Sequence, residues 1–548
     1  MKRREFFKQA VVACAASMGC GAATRSSPPP ANPPGAFKPR PFELDECMIA
    51  DLQARMQSGR HTAVSLTKKY LARIEEVDRR GPALRSVIEL NPDALAIARE
   101  LDRERRTQGP RGPLHGVPLL IKDNLDTHDR MATTAGSLAL VGSIPESDAF
   151  VVQRLRQAGA ILLGKTNLSE WANFRSPRST SGWSARGGLT RNPYALGRNP
   201  SGSSSGSAVS VAANLCAAAV GTETDGSILS PSSYNGIVGL KPTVGLVSRA
   251  GIIPIARSQD TAGPMARTVR DTAVLLGVLA GEDPRDEATR AGAAHRRTDY
   301  TPFLDADGLR GSRIGVARKF FGTHAEVDKL MEAAISSMRS QGAMVIDPAD
   351  LPAHGKFGDQ EFEVLLYECK AHLNAYLAGL GADAPVHSLR EVIEFNRHNR
   401  DREMPWFGQE TLEKAAAKGS LSEAAYRDAI ATCRRLSREE GIDAVMEEHR
   451  LDAIMAPTAG PAHVTDLVYG DRDTGGSTTP AAVAGYPSLT VPAGFVSELP
   501  VGISFFGRAW SEPTLLRLAF AFEQATCARK PPAFKSPIEG SPVSRSGL

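Results

Sequence analysis

The chain has 548 residues, of which 42% are hydrophobic and 23% charged. This ordinary globular composition excludes a wholly disordered, collagen-like or coiled-coil protein. The net charge is +4, but residues 1–40 carry seven basic side chains and one acidic, so the remainder holds 58 basic and 60 acidic side chains. A nearly neutral body excludes the large basic surface that nucleic-acid binding requires, and we expect no nucleic-acid partner.

Residues 1–27 have the pattern of an export signal. A charged start containing Arg3 and Arg4 precedes a short, weakly apolar stretch at 10–18 and small residues around Cys20. The paired arginines resemble a twin-arginine signal, the route that exports folded proteins. We therefore predict an exported, periplasmic protein, with a lipoprotein anchored at Cys20 and facing the periplasm as the alternative.

The following stretch, 28–42, is rich in proline, which disfavours helices and predicts an extended linker. No later segment has the roughly 18 apolar residues that a membrane span needs, so we expect no transmembrane segment. The sequence also lacks Cys-x-x-Cys pairs, His-Glu-x-x-His and glycine-rich nucleotide motifs. We accordingly expect no metal and no other cofactor.

The body begins with apolar residues at helical spacing, which predict helices over most of 43–106. Two short apolar runs at 117–121 and 160–163 then indicate buried strands, with a helical stretch at 148–158 between them. Strands that alternate with helices are typical of a layered α/β domain.

Residues 176–207 are packed with Ser, Gly, Asn and Pro, and so predict a long loop of functional importance. The small apolar residues 208–220 predict a tightly packed helix. No linker divides the body, so we predict a single domain at 43–535. Its parts are a helical N-terminal part (43–106), a catalytic core (110–300), a helical elaboration (301–470), C-terminal strands and a helix (471–535), followed by a tail (536–548). The sequence does not determine the oligomeric state, and a monomer is compatible with it.

Serine is the residue type that points to chemistry. Gly202 to Gly206 formally satisfies G-x-S-x-G, the nucleophile elbow of α/β-hydrolases, centred on Ser204. That elbow directly follows a strand, whereas two Asn-Pro pairs lie just upstream of this pentapeptide. The elbow is therefore the less favoured interpretation.

Three motifs occur in order along the chain, and together they form a more specific pattern. They are Gly-Val-Pro-Leu-Leu-Ile-Lys-Asp-Asn at 116–124, Ser-Gly-Ser-Ser-Ser-Gly-Ser at 201–207, and Gly-Thr-Glu-Thr-Asp-Gly-Ser-Ile at 221–228. This set resembles the amidase signature family of serine hydrolases, with looser agreement over 43–530. The resemblance implies an α/β fold: a large mixed, twisted β-sheet covered by α-helices on both faces (α/β/α), with helical elaborations.

The family's Ser–Ser–Lys triad falls on three positions of this sequence. The resemblance implies that Ser227 is the nucleophile, that Ser203 is the bridging serine after a cis peptide bond, and that Lys122 is the base. The backbone N–H groups around the nucleophile, those of Thr224, Asp225, Gly226 and Ser227, are the natural oxyanion hole.

These residue types suit the chemistry independently of the family. A serine hydroxyl needs a neighbouring base, and a lysine can serve if burial lowers its pKa far below the ordinary value of about 10.4. Lys122 follows an apolar strand, which favours that burial. A second serine can relay the proton to the leaving nitrogen, as a poor leaving group requires.

Departures from the common pattern, including Asp225 two residues before the nucleophile, resemble the peptide amidase branch of the family. That branch removes ammonia from C-terminal carboxamides, so the resemblance implies a peptide-amide substrate. Ser204, Asp225 and Trp183 are the predicted substrate contacts. The alternatives are an amidase acting on aryl or aliphatic amides, a subunit of the aminoacyl-tRNA amidotransferase type, and a non-catalytic binding protein.

Overall fold

The computed structural model describes Phe37 and residues 39–535. The predicted export signal with Cys20, most of the linker at 28–42 and the tail at 536–548 lie outside the described residues. The description below therefore concerns the predicted body of the protein.

A mixed, eleven-stranded β-sheet forms the centre of the described chain, accompanied by a two-stranded hairpin. The strands are β1 (Val87–Leu90), β2 (Pro118–Lys122), β3 (Ile161–Thr166), β4 (Trp183–Ser184), β5 (Gly188–Leu189), β6 (Ala218–Glu223), β7 (Val238–Lys241), β8 (Thr261–Ala266), β9 (Arg313–Val316), β10 (Met344–Ile346), β11 (Ala453–Pro457), β12 (Ser488–Val496) and β13 (Leu499–Phe506). Their order across the large sheet is β1-β3-β2-β6-β8-β7-β12-β13-β11-β9-β10, and β4 pairs with β5.

Helices flank this sheet. They are α1 (Ile49–Gln57), α2 (Ala63–Arg73), α3 (Ala94–Gln108), α4 (Phe150–Gln157), α5 (Ser205–Ala212), α6 (Leu229–Tyr234), α7 (Val269–Leu279), α8 (Ala288–Gly292), α9 (Ala325–Ser340), α10 (Gly358–Ala378), α11 (Leu389–His398), α12 (Arg400–Glu403), α13 (Glu410–Ala416), α14 (Ala424–Ser437), α15 (Asp443–Glu448), α16 (Thr478–Ala484) and α17 (Glu512–Thr526). The large mixed sheet with flanking helices confirms the predicted fold class.

The sheet places β2 and β6 side by side. β2 pairs in parallel with both β3 and β6, while β6 pairs antiparallel with β8. Every residue of β2 and β6 is buried, because neighbouring strands and helices cover them on all sides. Since parallel strands end at the same edge of a sheet, the last residue of β2, Lys122, lies next to the end of β6.

One predicted element is wrong. The apolar stretch 208–220 was expected to form a single helix, but α5 ends at Ala212 and β6 begins at Ala218. The break follows from Asn214, whose φ of +57° is left-handed and cannot continue a helix. Small residues suit both the helix and the strand, because α5 packs directly against β2, β3 and β6.

The described residues give three further facts about the function classes considered above. No helix within residues 39–535 combines the length and apolarity that crossing a bilayer requires. The same part of the chain contains no cluster of His, Cys, Asp and Glu arranged to hold a metal ion. Its five cysteines, at 47, 216, 369, 433 and 527, are free thiols.

Candidate active site

The three motifs meet at the ends of β2 and β6. Lys122 closes β2, Ser203 lies in the loop that leads into α5, and Ser227 lies in the turn between β6 and α6. The backbone N–H of Ser204 donates to the carbonyl oxygen of Ser227 at 3.1 Å, which ties that loop to that turn. The chain thus brings together all three residues that the sequence singled out.

Lys122 is completely buried, and its Nζ lies 2.8 Å from Ser203 Oγ. The same nitrogen donates to the hydroxyl of Thr222 at 2.8 Å and to its carbonyl oxygen at 3.2 Å. Burial lowers the pKa of Lys122 to about 7, although the negative charges of Glu223 and Asp260 oppose that shift. A substantial fraction of the amine is therefore neutral near pH 7.

Ser203 has no exposed surface, and its peptide bond with Gly202 is cis, as the resemblance implies. Its carbonyl oxygen accepts from the N–H of Ser169 at 3.1 Å, which ties the Ser203 backbone to the segment after β3. Among the described residues, Lys122 is the hydrogen-bond partner of the Ser203 hydroxyl. The hydroxyl is consequently oriented by a single basic group.

Ser227 is only 8% exposed, and its hydroxyl makes no hydrogen bond to any described residue. The N–H groups of residues 224–227 likewise have no acceptor within residues 39–535. Free N–H donors next to a free hydroxyl are expected at a site where a negative charge develops during a reaction. The turn therefore presents a reactive group and charge-stabilising donors in one place.

The carboxylate of Glu223 holds this turn in shape. Its Oε2 accepts from the N–H of Ile228 at 2.7 Å and from the N–H of Leu229 at 3.0 Å, at the start of α6. Gly226 has a φ of +76°, and a Cβ there would lie 3.0 Å from the hydroxyl oxygen of Thr478. A side chain at Gly226 would be strained and crowded, so glycine is required in this turn.

Asp225 is fixed by two hydroxyl groups from a distant part of the chain. Thr478, at the start of α16, donates to Oδ1 at 2.7 Å, and Thr479 donates to Oδ2 at 2.7 Å. Burial raises the pKa of Asp225 above the ordinary value. Its carboxyl group thus has a defined orientation beside the free N–H groups of the turn.

Thr224 anchors the turn to two further acidic groups. Its hydroxyl donates to Asp260 at 2.5 Å, and its carbonyl oxygen accepts from the side-chain amide of Gln259 at 3.3 Å. The same amide nitrogen donates to Glu361 of α10 at 2.9 Å. Burial raises the pKa of Asp260 to about 6, and burial together with the charge of Asp225 raises the pKa of Glu361 to about 8.

Ser204 and Trp183, the other predicted substrate contacts, have partners within the protein. The Ser204 hydroxyl is buried, donates to the carbonyl oxygen of Thr222 at 3.0 Å and accepts from its N–H at 3.2 Å. The Trp183 ring is buried edge-on against Phe407, with the guanidinium of Arg175 5.2 Å from the centre of the indole. In this arrangement Ser204 positions β6, and Trp183 anchors its loop.

Two other buried lysines have separate surroundings. Lys165 donates to the carbonyl oxygen of Leu125 at 2.7 Å and to the hydroxyl of Thr133 at 2.9 Å. Lys241 donates to the carbonyl oxygen of Pro242 at 3.2 Å. Neither donates to Ser203 or Ser227 within the described chain.

The structure adds residues to the site that the motifs alone did not identify. Thr222 belongs to the third motif. Its hydroxyl and its carbonyl oxygen are the two acceptors for the predicted base, Lys122, and its place in the motif was the only signal in the sequence. Thr478, Thr479 and Glu361 lie more than a hundred residues further along the chain, in segments without a motif. No local pattern indicates their position, because the fold alone brings them to the turn.

Comparison with known proteins gives a consistent result. Residues 65–516 match the family model described as Amidase. The chain is 54% identical to the peptide amidase of Stenotrophomonas maltophilia, with a TM-score of 0.86, covering 90% of this chain and 100% of that structure. It is 45% identical over 502 residues to a protein named as a probable amidase in Arabidopsis thaliana, covering 90% of this chain and 92% of the plant protein. It is 38% identical over 501 residues to one subunit of the glutamyl-tRNA(Gln) amidotransferase of Chloroflexus aurantiacus, covering 88% and 97% respectively.

Proposed function

Because the chain belongs to the amidase signature family and is a hydrolase of amide C–N bonds, we propose that it removes ammonia from the C-terminal carboxamide of peptides. In this proposal Ser227 is the nucleophile, Ser203 the bridging serine and Lys122 the base. The observation that carries it is the 2.8 Å contact between the buried Lys122 amine and the Ser203 hydroxyl, beside a turn whose N–H donors have no acceptor in the described chain.

The reaction begins with neutral Lys122. Its lone pair accepts the proton of Ser203, which in turn takes the proton of Ser227 as the Ser227 oxygen attacks the amide carbon. The N–H groups of residues 224–227 stabilise the negative charge that develops on the carbonyl oxygen.

Collapse of the tetrahedral intermediate breaks the C–N bond. Ser203 returns a proton to the leaving nitrogen, so ammonia departs and the peptide remains as an ester on Ser227. A water molecule then attacks the ester carbon by the same proton route. The C-terminal acid is released, and both serines regain their protons.

Thr222 orients the Lys122 amine for this mechanism. A neutral amine has two N–H donors and one lone pair, and Thr222 supplies two acceptors to Nζ, its hydroxyl and its carbonyl oxygen. With both N–H groups engaged there, the lone pair of Lys122 is directed toward Ser203. The arrangement favours proton acceptance from that serine.

Two facts support peptide amides as the substrate class. The chain is considerably more similar to the Stenotrophomonas peptide amidase, at 54% identity, than to the Chloroflexus amidotransferase protein, at 38%. Its body is also nearly neutral, which does not favour binding to a charged transfer RNA.

Ammonia release tests the proposal directly. Purified protein is incubated with a dipeptide amide, with benzamide and with a simple aliphatic amide, and we expect the dipeptide amide to give the highest kcat/KM. Ser227→Ala should abolish turnover, whereas Ser230→Ala, in the following helix, serves as the control. Equal turnover of all three amides would contradict the peptide specificity, and an active Ser227→Ala variant would contradict the mechanism.

A further inference from the structure

Asp225 belongs to the turn that carries Ser227, and Glu361 is linked to that turn through Gln259. The reaction described above uses neither carboxyl group. We infer that this pair of carboxyl groups admits the neutral carboxamide and rejects the carboxylate produced by its hydrolysis. Asp225 carries the main charge and Glu361 adds to it. The inference rests on amide hydrolysis at Ser227, as proposed above, and assigns to the pair the discrimination between substrate and product.

The position of Asp225 is the first step. Its side chain belongs to the segment that supplies the N–H donors, between Thr224 and Gly226, and the hydroxyls of Thr478 and Thr479 hold both carboxyl oxygens at 2.7 Å. A side chain held by two short hydrogen bonds cannot readily turn away from a ligand bound at this turn. Its charge is therefore a fixed part of the site.

Glu361 reaches the turn from α10. It is largely buried in α10, and Gln259 links its carboxyl group to the carbonyl oxygen of Thr224 through one amide nitrogen. After burial, the negative charge of Asp225 is the next cause of the raised pKa of Glu361. Both groups therefore lie close to the residue that begins the donor turn.

The Ser227 hydroxyl provides an independent sign that a ligand binds here. Residue Ser227 is 8% exposed, and its hydroxyl has no hydrogen-bond partner among the described residues. The charges around it are mixed: Lys241 offsets Glu223 and Asp225, while Asp260 adds to the acidic side. No arginine within hydrogen-bond reach of Asp225 neutralises it in the described chain.

The substrate and the product of the reaction differ in charge, and the charge of Asp225 distinguishes them. Hydrolysis replaces a neutral C-terminal amide, whose NH₂ group can donate to Asp225, with an acid whose pKa is about 3.5 and which is ionised near neutrality. In a buried site two like charges repel more strongly than in water. The carboxylate product is thus destabilised where the carboxamide is accepted, which favours release of product and exclusion of peptides with a free C-terminus.

Binding to inactive protein tests the inference without turnover. Calorimetry at one pH near neutrality measures the Kd of a dipeptide amide and of its free acid on Ser227→Ala, and of benzamide and benzoate as a second pair. We expect the acid to bind at least about tenfold more weakly than the amide. Adding Asp225→Asn, which keeps the shape and can still bond both threonines, should remove most of that difference.

The other variants separate charge from general disturbance. Adding Glu361→Gln should reduce the difference less, because its raised pKa of about 8 leaves it largely protonated near neutrality. Glu363→Gln, on the same helix but paired with Lys418, should change nothing. Equal affinity for acid and amide on Ser227→Ala, or an unchanged ratio after Asp225→Asn, would overturn the inference. If benzoate is rejected but dipeptide amides are neither bound nor hydrolysed, the discrimination stands and the peptide function fails.

Discussion

The burial of Lys122 determines the protonation state on which the proposed reaction depends. The amine is excluded from water at the end of a fully buried strand, and the loss of hydration destabilises its charged form. Lys165 is equally buried, but its nitrogen is directed to a carbonyl oxygen and a threonine hydroxyl rather than to a second serine. Proximity to Ser203, and not burial alone, distinguishes the base.

The pH dependence of activity follows from this lysine. Its pKa is lowered to about 7, and only the neutral form can accept a proton, so kcat/KM should rise about tenfold per pH unit below pH 7 and level off above it. Lys122→Ala should reduce kcat by roughly 10²–10⁴-fold and abolish the rise of kcat/KM with pH. Initial rates of ammonia release between pH 5 and pH 9, roughly the range in which side chains near neutrality titrate, check both points. If kcat/KM of Lys122→Ala still rises with pH in the same range, the titrating group is not Lys122.

At the scale of elements, the turn between β6 and α6 depends on Glu223. Glu223→Ala removes the acceptor for the N–H groups of Ile228 and Leu229, and we expect the free energy of unfolding to fall by about 1–2 kcal/mol. Activity should fall as well, because the donors of the turn lose their orientation. Glu223→Gln retains an acceptor oxygen, so it should lose less stability and less activity than Glu223→Ala. Urea denaturation and kcat of the two variants give the comparison, and equal losses would contradict a capping role.

A second element-scale feature is the buried ion network around Arg175. Its guanidinium pairs with Glu170 and donates to the backbone carbonyls of Glu403, Phe407 and Gly408, joining the segment 170–175 to residues 403–408. Arg175→Met leaves two fully buried glutamates without their cation, so we expect unfolding free energy to fall by about 3–5 kcal/mol. Arg178→Met, nearby but outside this network, is the control. A Tm shift no larger than that of the control would show that the network contributes little.

At the scale of the molecule, the sequence predicted what depends on local pattern. Buried strands such as β2 were found because a strand covered on both faces is apolar throughout, and Lys122, Ser203 and Ser227 were found because each lies in a motif. The stretch 208–220 was misassigned because small apolar residues suit a packed helix and a central strand equally well. Thr478, Thr479 and Glu361 escaped detection because only tertiary folding places them beside Asp225.

The predicted export signal also concerns the whole molecule, and it stays a proposal. Arg3→Lys combined with Arg4→Lys should retain the protein in the cytoplasm, because the twin-arginine route requires the arginine pair. Fractionation followed by the amidase assay measures this in a bacterial host with that route. Cys20→Ser distinguishes the two exported forms, since it should release only a lipid-anchored protein from the membrane fraction. Unchanged distribution of the double variant would refute the signal.

The bonds from Thr478 and Thr479 to Asp225 have a consequence for the order in which the site is assembled during synthesis. Lys122 and Ser227 emerge from the ribosome early, but the residues that orient Asp225 emerge only after about seven-eighths of the chain has been made. A nascent or prematurely terminated chain therefore contains every motif and lacks a completed site. The discrimination that we infer for Asp225 is therefore complete only in a chain long enough to include α16.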